Sequence, residues 1–94
     1  MMQFEWDEKK AESNIEKHGV SFEEAETVFG DVLARLFDDE KHSIRERRNG
    51  IIGHSINNRL FIVSFTERTN DIIRIISARE ATPKERRKYE NENG

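Results

Sequence analysis

Two arginines near the end of the chain belong to one run rich in isoleucine. Arg74 lies within the β-strand that this run predicts over residues 72–78, and Arg79 lies at its end. Because successive side chains of a strand point to opposite faces, simple alternation predicts the two arginines on opposite sides of the sheet. An arginine among isoleucines is costly to bury unless it meets a carboxylate, reaches water or faces an open cleft. Arg79 also lies just before a predicted helix, and the amides of a helix N-terminus favour a phosphate. Both arginines are therefore candidates for binding a phosphate group.

Further charged residues fall in the neighbouring predicted strands, namely Glu46, Arg47, Glu67 and Arg68. Several arginines with one carboxylate have the parts for RNA cleavage without a metal ion. The carboxylate or a histidine takes the proton of a ribose 2′-hydroxyl, and the arginines stabilise the charge that builds on the phosphate. Glutamate–arginine neighbours are also common as plain cross-strand pairs at a protein surface. The sequence leaves both interpretations open.

Three histidines have different predicted surroundings. His18 ends the first predicted helix, where the helix dipole favours a cation, so it is a candidate for proton transfer as well as for a capping or packing role. Lys17 precedes it. His54 alternates with apolar residues and is predicted to lie inside, whereas His42 lies in a polar loop. Their spacing does not match a metal site and the chain has no cysteine, so we expect neither a metal ion nor a cofactor.

The composition indicates a small protein with unevenly distributed charge. The chain has 94 residues and a net charge of −3. Residues 1–40 carry 12 acidic and 4 basic side chains, whereas residues 41–94 carry 7 acidic and 12 basic ones. Such an asymmetry suggests a surface that faces a polyanion. The length predicts one domain over residues 1–94. The lack of cysteine and of any apolar stretch of about 18 residues predicts a cytoplasmic protein without a membrane span.

The elements that must position these residues follow from the period of the apolar side chains. The pattern predicts helices over residues 7–18, 21–30 and 82–90, and strands over residues 32–37, 45–56, 59–68 and 72–78. Residues 3–6 are expected to form a short strand or an extended lead-in. The predicted fold class is α+β, with two N-terminal helices, a four-stranded antiparallel sheet and a C-terminal helix.

The ends of the predicted helices carry specific signals. Asp7 is a suitable N-cap for the first helix, and Gly19 can adopt the left-handed conformation that ends it. Two capping boxes, in which an N-cap side chain and a glutamate three residues later bind each other's backbone amides, are predicted at Ser21 with Glu24 and at Thr82 with Glu85.

Two stretches of the chain resemble the signatures of a known family. The opening one is Trp6-Asp7-Glu8-Lys9-Lys10, then Asn14, then Lys17-His18-Gly19-Val20-Ser21-Phe22-Glu23-Glu24-Ala25. The closing one is Arg74-Ile75-Ile76-Ser77-Ala78-Arg79-Glu80-Ala81-Thr82, followed by Glu85-Arg86 and Tyr89. Between them, Glu46-Arg47, Gly53 and the strand that ends at Arg68 fall in matching order. Over roughly residues 4–90, the chain resembles the BrnT family of toxins.

The resemblance implies a toxin of a type II toxin–antitoxin system with a RelE-like fold, which cleaves RNA without a metal ion. It also implies that a BrnA-type antitoxin neutralises the toxin by direct binding, in a heterotetramer that contacts DNA only through the antitoxin. The family's functional positions fall here on the catalytic candidates His18, Glu46, Arg74 and Arg79 and on the RNA-binding candidates Lys17, Arg47 and Arg68.

The sequence leaves the proton-transfer group undecided between His18 and a glutamate, either Glu46 or Glu67. A rival hypothesis of another class also stays open. In it, the chain is a non-catalytic binding module whose basic sheet face docks a partner protein.

Overall fold

The computed structural model describes residues 2–38, 48–69 and 71–93. In chain order the elements are strand β1 (Gln3–Glu5), helices α1 (Glu8–His18) and α2 (Phe22–Glu26), a 3₁₀ turn (Thr27–Gly30), strands β2 (Arg35–Asp38), β3 (Asn49–His54), β4 (Leu60–Arg68) and β5 (Ile72–Glu80), and helix α3 (Pro83–Asn93). The predicted α+β class is confirmed.

The sheet has five strands in the order β1-β5-β4-β3-β2. Strands β2 to β5 form the predicted antiparallel meander. The predicted number of four strands is wrong by one, because the lead-in is a strand that pairs in parallel with β5. Gln3 lies opposite Ile72 and Glu5 lies opposite Arg74. This pairing places a carboxylate beside one of the two candidate arginines.

The predicted caps of α1 and α3 are confirmed. Asp7 Oδ1 accepts a hydrogen bond from Lys10 N at 3.0 Å, and Gly19 adopts the left-handed conformation with a φ of 66°. At the start of α3, Thr82 N donates to Glu85 Oε1 at 2.8 Å, and Glu85 N donates to Thr82 Oγ1 at 3.2 Å. Both halves of this capping box are therefore formed.

Several predicted element ends differ from the structure. Helix α2 ends at Glu26 and continues as the 3₁₀ turn, β3 ends at His54 instead of residue 56, and β5 continues to Glu80 instead of residue 78. Strand β2 begins at Arg35, later than predicted, because Asp31 turns the chain before it and its Oδ1 accepts a hydrogen bond from Leu33 N at 3.0 Å. Helix α3 continues to Asn93 instead of ending near residue 90. The side chain of Asn93 ties this helix end to β2, since its Oδ1 accepts a hydrogen bond from Arg35 Nη1 at 3.1 Å.

Helices α1 and α2 pack on one face of the sheet and form the hydrophobic core with it. Its largest fully buried side chains include Phe22, Phe61 and Ile75. Phe29 packs edge-on against Phe65, with ring centroids 5.0 Å apart. Burying one such side chain contributes roughly 1.5–3 kcal/mol, so packing fixes which side of each strand faces the helices.

Strand β5 contains a β-bulge that the sequence analysis did not predict. The pairing of β4 with β5 shifts register between Ser64, which lies opposite Ser77, and Phe65, which lies opposite Ile75. Ile76 is thus an extra residue without a counterpart on β4, as in a bulge. One added residue reverses the side to which all later side chains of the strand point.

The bulge brings the two candidate arginines to the same face of the sheet. Arg74 lies opposite Thr66, and Arg79 lies opposite Ile62. Because Thr66 and Ile62 are four residues apart on β4, their side chains share one face. The prediction that the arginines lie on opposite faces is therefore wrong, and the reason is the residue inserted between them.

The side chain of Asn14, on α1, binds the backbone next to the bulge. Its Nδ2 donates to Ala78 O at 2.8 Å and to Val20 O at 2.9 Å, and its Oδ1 accepts a hydrogen bond from Ala78 N at 3.1 Å. Asn14 is only 5% exposed. This amide satisfies two backbone groups of β5 that would otherwise be buried without partners. It therefore satisfies the edge of β5 beyond Arg74, where the pairing with β1 ends.

Replacing Asn14 by alanine should destabilise the fold, because three buried backbone groups lose their partner. We expect the free energy of unfolding in urea to fall by about 3 kcal/mol. Glu12→Ala, an exposed substitution in the same helix, is the control. A loss for Asn14→Ala no larger than the control's would contradict this role of the amide.

Candidate active site on the distal face of the sheet

The face of the sheet opposite α1 and α2, here called the distal face, carries three of the sequence-predicted arginines. Arg74 and Arg79 project from β5, and Arg68 lies two residues beyond Thr66 on β4. Helix α3 crosses another part of this face. Its Tyr89 is buried, and the hydroxyl donates to Leu33 O at 3.2 Å. The arginines therefore lie beside the area that α3 covers.

Arg79 is held by Glu85 through a two-pronged ion pair. Its Nη1 donates to Glu85 Oε1 at 2.8 Å, and its Nη2 donates to Glu85 Oε2 at 3.0 Å. The Arg79 side chain is 41% exposed, so the pair lies at the surface. The hydrogen bonds from Arg79 lower the pKa of Glu85 from 4.5 to about 2, and the amide of Thr82 adds to this effect. The planar fork of Arg79 is therefore fixed in an orientation that suits a bidentate anion.

Arg74 is paired with Glu5 of β1, its register partner, with 2.9 Å between Nη1 and Oε2. Each of the two arginines thus has one carboxylate beside it. The sequence analysis missed both carboxylates as site residues. The signal for Glu85 was its capping box directly after Arg79, whereas Glu5 could be found only once the pairing of β1 was known.

The structure does not bring all the predicted site residues together. Lys17 and His18 lie exposed at the end of α1, which packs on the other face of the sheet. Among the described residues, neither makes a hydrogen bond or ion pair with Arg74 or Arg79. Glu67 lies opposite Ile73, so it is on the helix side of β4 and away from the arginines. Glu46 and Arg47 lie outside the residues that the structure describes, as does His42.

Another arginine, Arg59, has a structural role. Its Nη2 contacts Glu24 Oε1 at 2.6 Å and its Nη1 contacts Glu80 Oε1 at 3.0 Å, while its guanidinium lies 4.8 Å from the Phe61 ring centroid. The hydrogen bond from Arg59 lowers the pKa of Glu24 to about 2. The carboxylate of Glu24 is therefore engaged here, and only the Ser21 half of the predicted second capping box is formed. This network joins the β3–β4 hairpin to α2.

The described residues contain neither a metal-binding cluster nor a membrane-spanning helix. Within the described ranges, no three residues of the His, Cys, Asp or Glu types are arranged to hold a metal ion. None of the described helices is both long and apolar enough to cross a membrane.

The predicted interior position of His54 is confirmed only in part, because its side chain is one-third exposed, beside Asp31 and Tyr89.

Comparison with known proteins decides between the two hypotheses. Residues 6–85 match the family model described as the ribonuclease toxin BrnT of type II toxin–antitoxin systems. The chain belongs to the BrnT family. The crystal structure of the Brucella abortus ribonuclease toxin BrnT is similar, with a TM-score of 0.68 and 27% sequence identity over 87% of this chain and 99% of that chain. No curated protein matches the chain.

Membership of the BrnT family confirms the resemblance drawn from the two signatures. The chain is a ribonuclease toxin of a type II system, with an antitoxin as partner and RNA as substrate. The rival hypothesis of a non-catalytic binding module is not favoured. The distal face carries three of the arginines that the family resemblance named, so it is the candidate active site of this BrnT-family toxin.

The Arg79–Glu85 pair should make stability depend on pH in acid. Because the pKa of Glu85 is lower in the folded chain, the pair stabilises the fold above pH 4.5, and this contribution is lost as the pH falls towards 2. Glu85→Gln keeps a capping side chain but removes the charge, so its stability should fall less over this range. Urea unfolding at a series of pH values measures the difference, with Glu90→Gln on the same helix as control. Parallel pH profiles for wild type and Glu85→Gln would rule out the effect.

Proposed function

We propose that the chain is an endoribonuclease that cleaves RNA without a metal ion, and that Arg74 and Arg79 bind the scissile phosphate. One observation carries the proposal: the bulge in β5 puts both guanidinium groups on the distal face, where each is partly exposed. Preorganised cations at the site where charge develops are an effective means of lowering a reaction barrier. Arginine suits this role because its fork matches the oxygens of a phosphate.

In the free toxin the two arginines are paired with Glu5 and Glu85, so an incoming phosphate must exchange with these carboxylates. At Arg79 such an exchange replaces a bidentate carboxylate by a phosphate of similar geometry, and at Arg74 it replaces a single contact with Glu5. The partly exposed ion pairs are each worth about 0–1 kcal/mol, which an RNA strand with several contacts can readily offset. The carboxylates thus keep the arginines in place without blocking the site.

The exchange also provides a group that can accept a proton. When Arg79 turns to the phosphate, the Glu85 carboxylate loses the contact that holds its pKa at about 2, and its basicity rises towards that of an ordinary glutamate. In the proposed reaction Glu85 takes the proton of the 2′-hydroxyl. The 2′-oxygen then bonds to phosphorus, the bond to the 5′-oxygen breaks, and that oxygen leaves with a proton as a 5′-hydroxyl beside a 2′,3′-cyclic phosphate.

Glu85 takes the proton-accepting role that the sequence left open between His18 and a glutamate, either Glu46 or Glu67. For the second proton transfer, to the leaving oxygen, we propose His18 or Glu46. Lys17, Arg47 and Arg68 are proposed to neutralise the RNA backbone on either side of the scissile bond. Support for Arg68 is that it shares the distal face with Arg74.

The proposed partner is a BrnA-type antitoxin that inhibits the toxin by direct binding, in a heterotetramer that contacts DNA through the antitoxin alone. We further propose that the pair acts in the cytoplasm as a single-domain toxin with its antitoxin. The support is the family membership together with the charge of the chain, which is basic after residue 40 and acidic before it.

Arg79→Ala should abolish toxicity while the toxin still folds and binds its antitoxin. The experiment is induced expression in a bacterial host, in which growth and RNA integrity are followed together. Arg86→Ala, an exposed arginine on α3, is the matched control and should leave growth arrest unchanged. Wild-type protein that is soluble but leaves growth and RNA intact would overturn the proposal.

The same variants can be tested as purified proteins on RNA, with and without a chelator. Glu85→Gln should cleave roughly 100-fold more slowly, in line with the loss of a general base, while its RNA affinity stays equal or increases. Thr82→Ala weakens the cap of α3 without touching Arg79, so it separates catalysis from helix capping. Full activity of Glu85→Gln would remove Glu85 from the mechanism, and loss of activity in the chelator would contradict the metal-free reaction.

A further inference from the structure

A cleft of about 350 Å³ lies between α3 and the distal face, directly beside the Arg79–Glu85 pair. Ile52 and Ile62 line it from the sheet, and Tyr89 lines it from the helix. The exposed ring of Phe37 lines it from β2. Its size is at the lower end of the range in which proteins bind small molecules. The cleft is therefore large enough for one flat ligand group.

Phe37 has an unusual position for so large an apolar side chain. It is 42% exposed, and it lies opposite Gly50 of β3. The ring packs so closely over Gly50 that a Cβ at that position would overlap it. The absence of a side chain on Gly50 thus lets the ring lie against the strand. An aromatic ring held in this way is preorganised as a surface for stacking.

We propose that this cleft binds a nucleobase of the RNA next to the phosphate that Arg79 holds, with Phe37 as the stacking surface. The proposal deepens the ribonuclease function and rests on it. It identifies Phe37 as a residue that positions the substrate and sets which base is accepted.

The cleft adjoins the proposed phosphate site at Arg79, which favours a nucleobase as its occupant. Glu85 both binds Arg79 and lines the cleft, so a group in the cleft lies next to an anion on Arg79. In a nucleotide chain, the group next to a bound phosphate is a base on its ribose. Single-stranded RNA is commonly bound by stacking splayed bases on aromatic side chains.

The charges around the cleft support the same occupant. Lys88 and Arg35 also line it, on α3 and β2 respectively. Lys88 can contact a phosphate that follows the bound base, and Arg35 pairs with Glu92 at 3.8 Å. The Glu92 carboxylate can also accept a hydrogen bond from a base edge. An apolar floor with a few polar groups at its rim is the composition expected of a site that orients one ligand.

The test is a binding cycle that combines a protein change with a substrate change. The probe is a short RNA that is 2′-O-methylated throughout, so it has no 2′-hydroxyl and cannot be cleaved by the proposed reaction. An abasic position is moved along it one nucleotide at a time. For the wild type, one abasic position should weaken binding about tenfold, as expected for the loss of one stacked base.

Phe37→Leu keeps an apolar side chain over Gly50 but removes the aromatic face. It should bind the intact RNA about tenfold more weakly and should no longer distinguish the intact from the abasic RNA. Phe37→Tyr should restore both affinity and discrimination. Ile56→Ala, which changes an exposed apolar residue outside the cleft, should behave like wild type. Circular dichroism confirms the fold of each variant.

Two results would overturn the base site while leaving the ribonuclease function intact. In the first, Phe37→Leu discriminates the abasic RNA as the wild type does. In the second, Phe37→Leu binds RNA with wild-type affinity but no longer binds the antitoxin, which would show that the cleft contacts the antitoxin and not a base. If the wild type neither binds nor cleaves RNA, the proposed function fails first and the base site fails with it.

Discussion

The residue inserted at the bulge of β5 determines on which side of the sheet both candidate arginines lie. Without it, simple alternation would place Arg74 and Arg79 on opposite faces. With it, Arg74 lies opposite Thr66, Arg79 lies opposite Ile62, and both project from the distal face. Two residues after the bulge, where β5 continues beyond its pairing with β1, the Asn14 amide binds both backbone groups of Ala78. A buried backbone group without a partner costs about 1–3 kcal/mol, so this amide stabilises the part of β5 that leads to Arg79.

The two faces of the sheet are stabilised by different kinds of contact. The face under α1 and α2 is packed with aromatic and aliphatic side chains and is fixed by burial. The distal face carries ion pairs at partial exposure, whose partners can exchange at little cost. Helix α3 connects the two roles, because Glu85 caps the helix, holds Arg79 and lines the cleft. The face proposed to bind RNA is thus the one whose contacts are partly exposed ion pairs.

Local signals in the sequence predicted much of the fold. The caps at Asp7, Gly19 and Thr82 depend on residues within one helical turn, and the structure confirms them. Pairings over long distances could not be predicted in this way. Simple alternation cannot reveal an inserted residue, so it predicts Arg74 and Arg79 on opposite faces. The short strand β1 carried too little pattern to show that Glu5 would meet Arg74.

Arg74 and Arg79 are proposed to bind one RNA phosphate group together on the distal face. NMR of the arginine Nε–Hε groups measures this most directly, as the 2′-O-methylated RNA is titrated into the isotopically labelled toxin. Arg59, which is held by Glu24 and Glu80, serves as the internal reference. If both arginines bind the phosphate, the Arg74 and Arg79 signals should shift together, with one binding curve, while the Arg59 signal does not move. If the RNA binds while the Arg74 and Arg79 signals stay in place, the phosphate site lies elsewhere on the toxin and these two arginines do not form it.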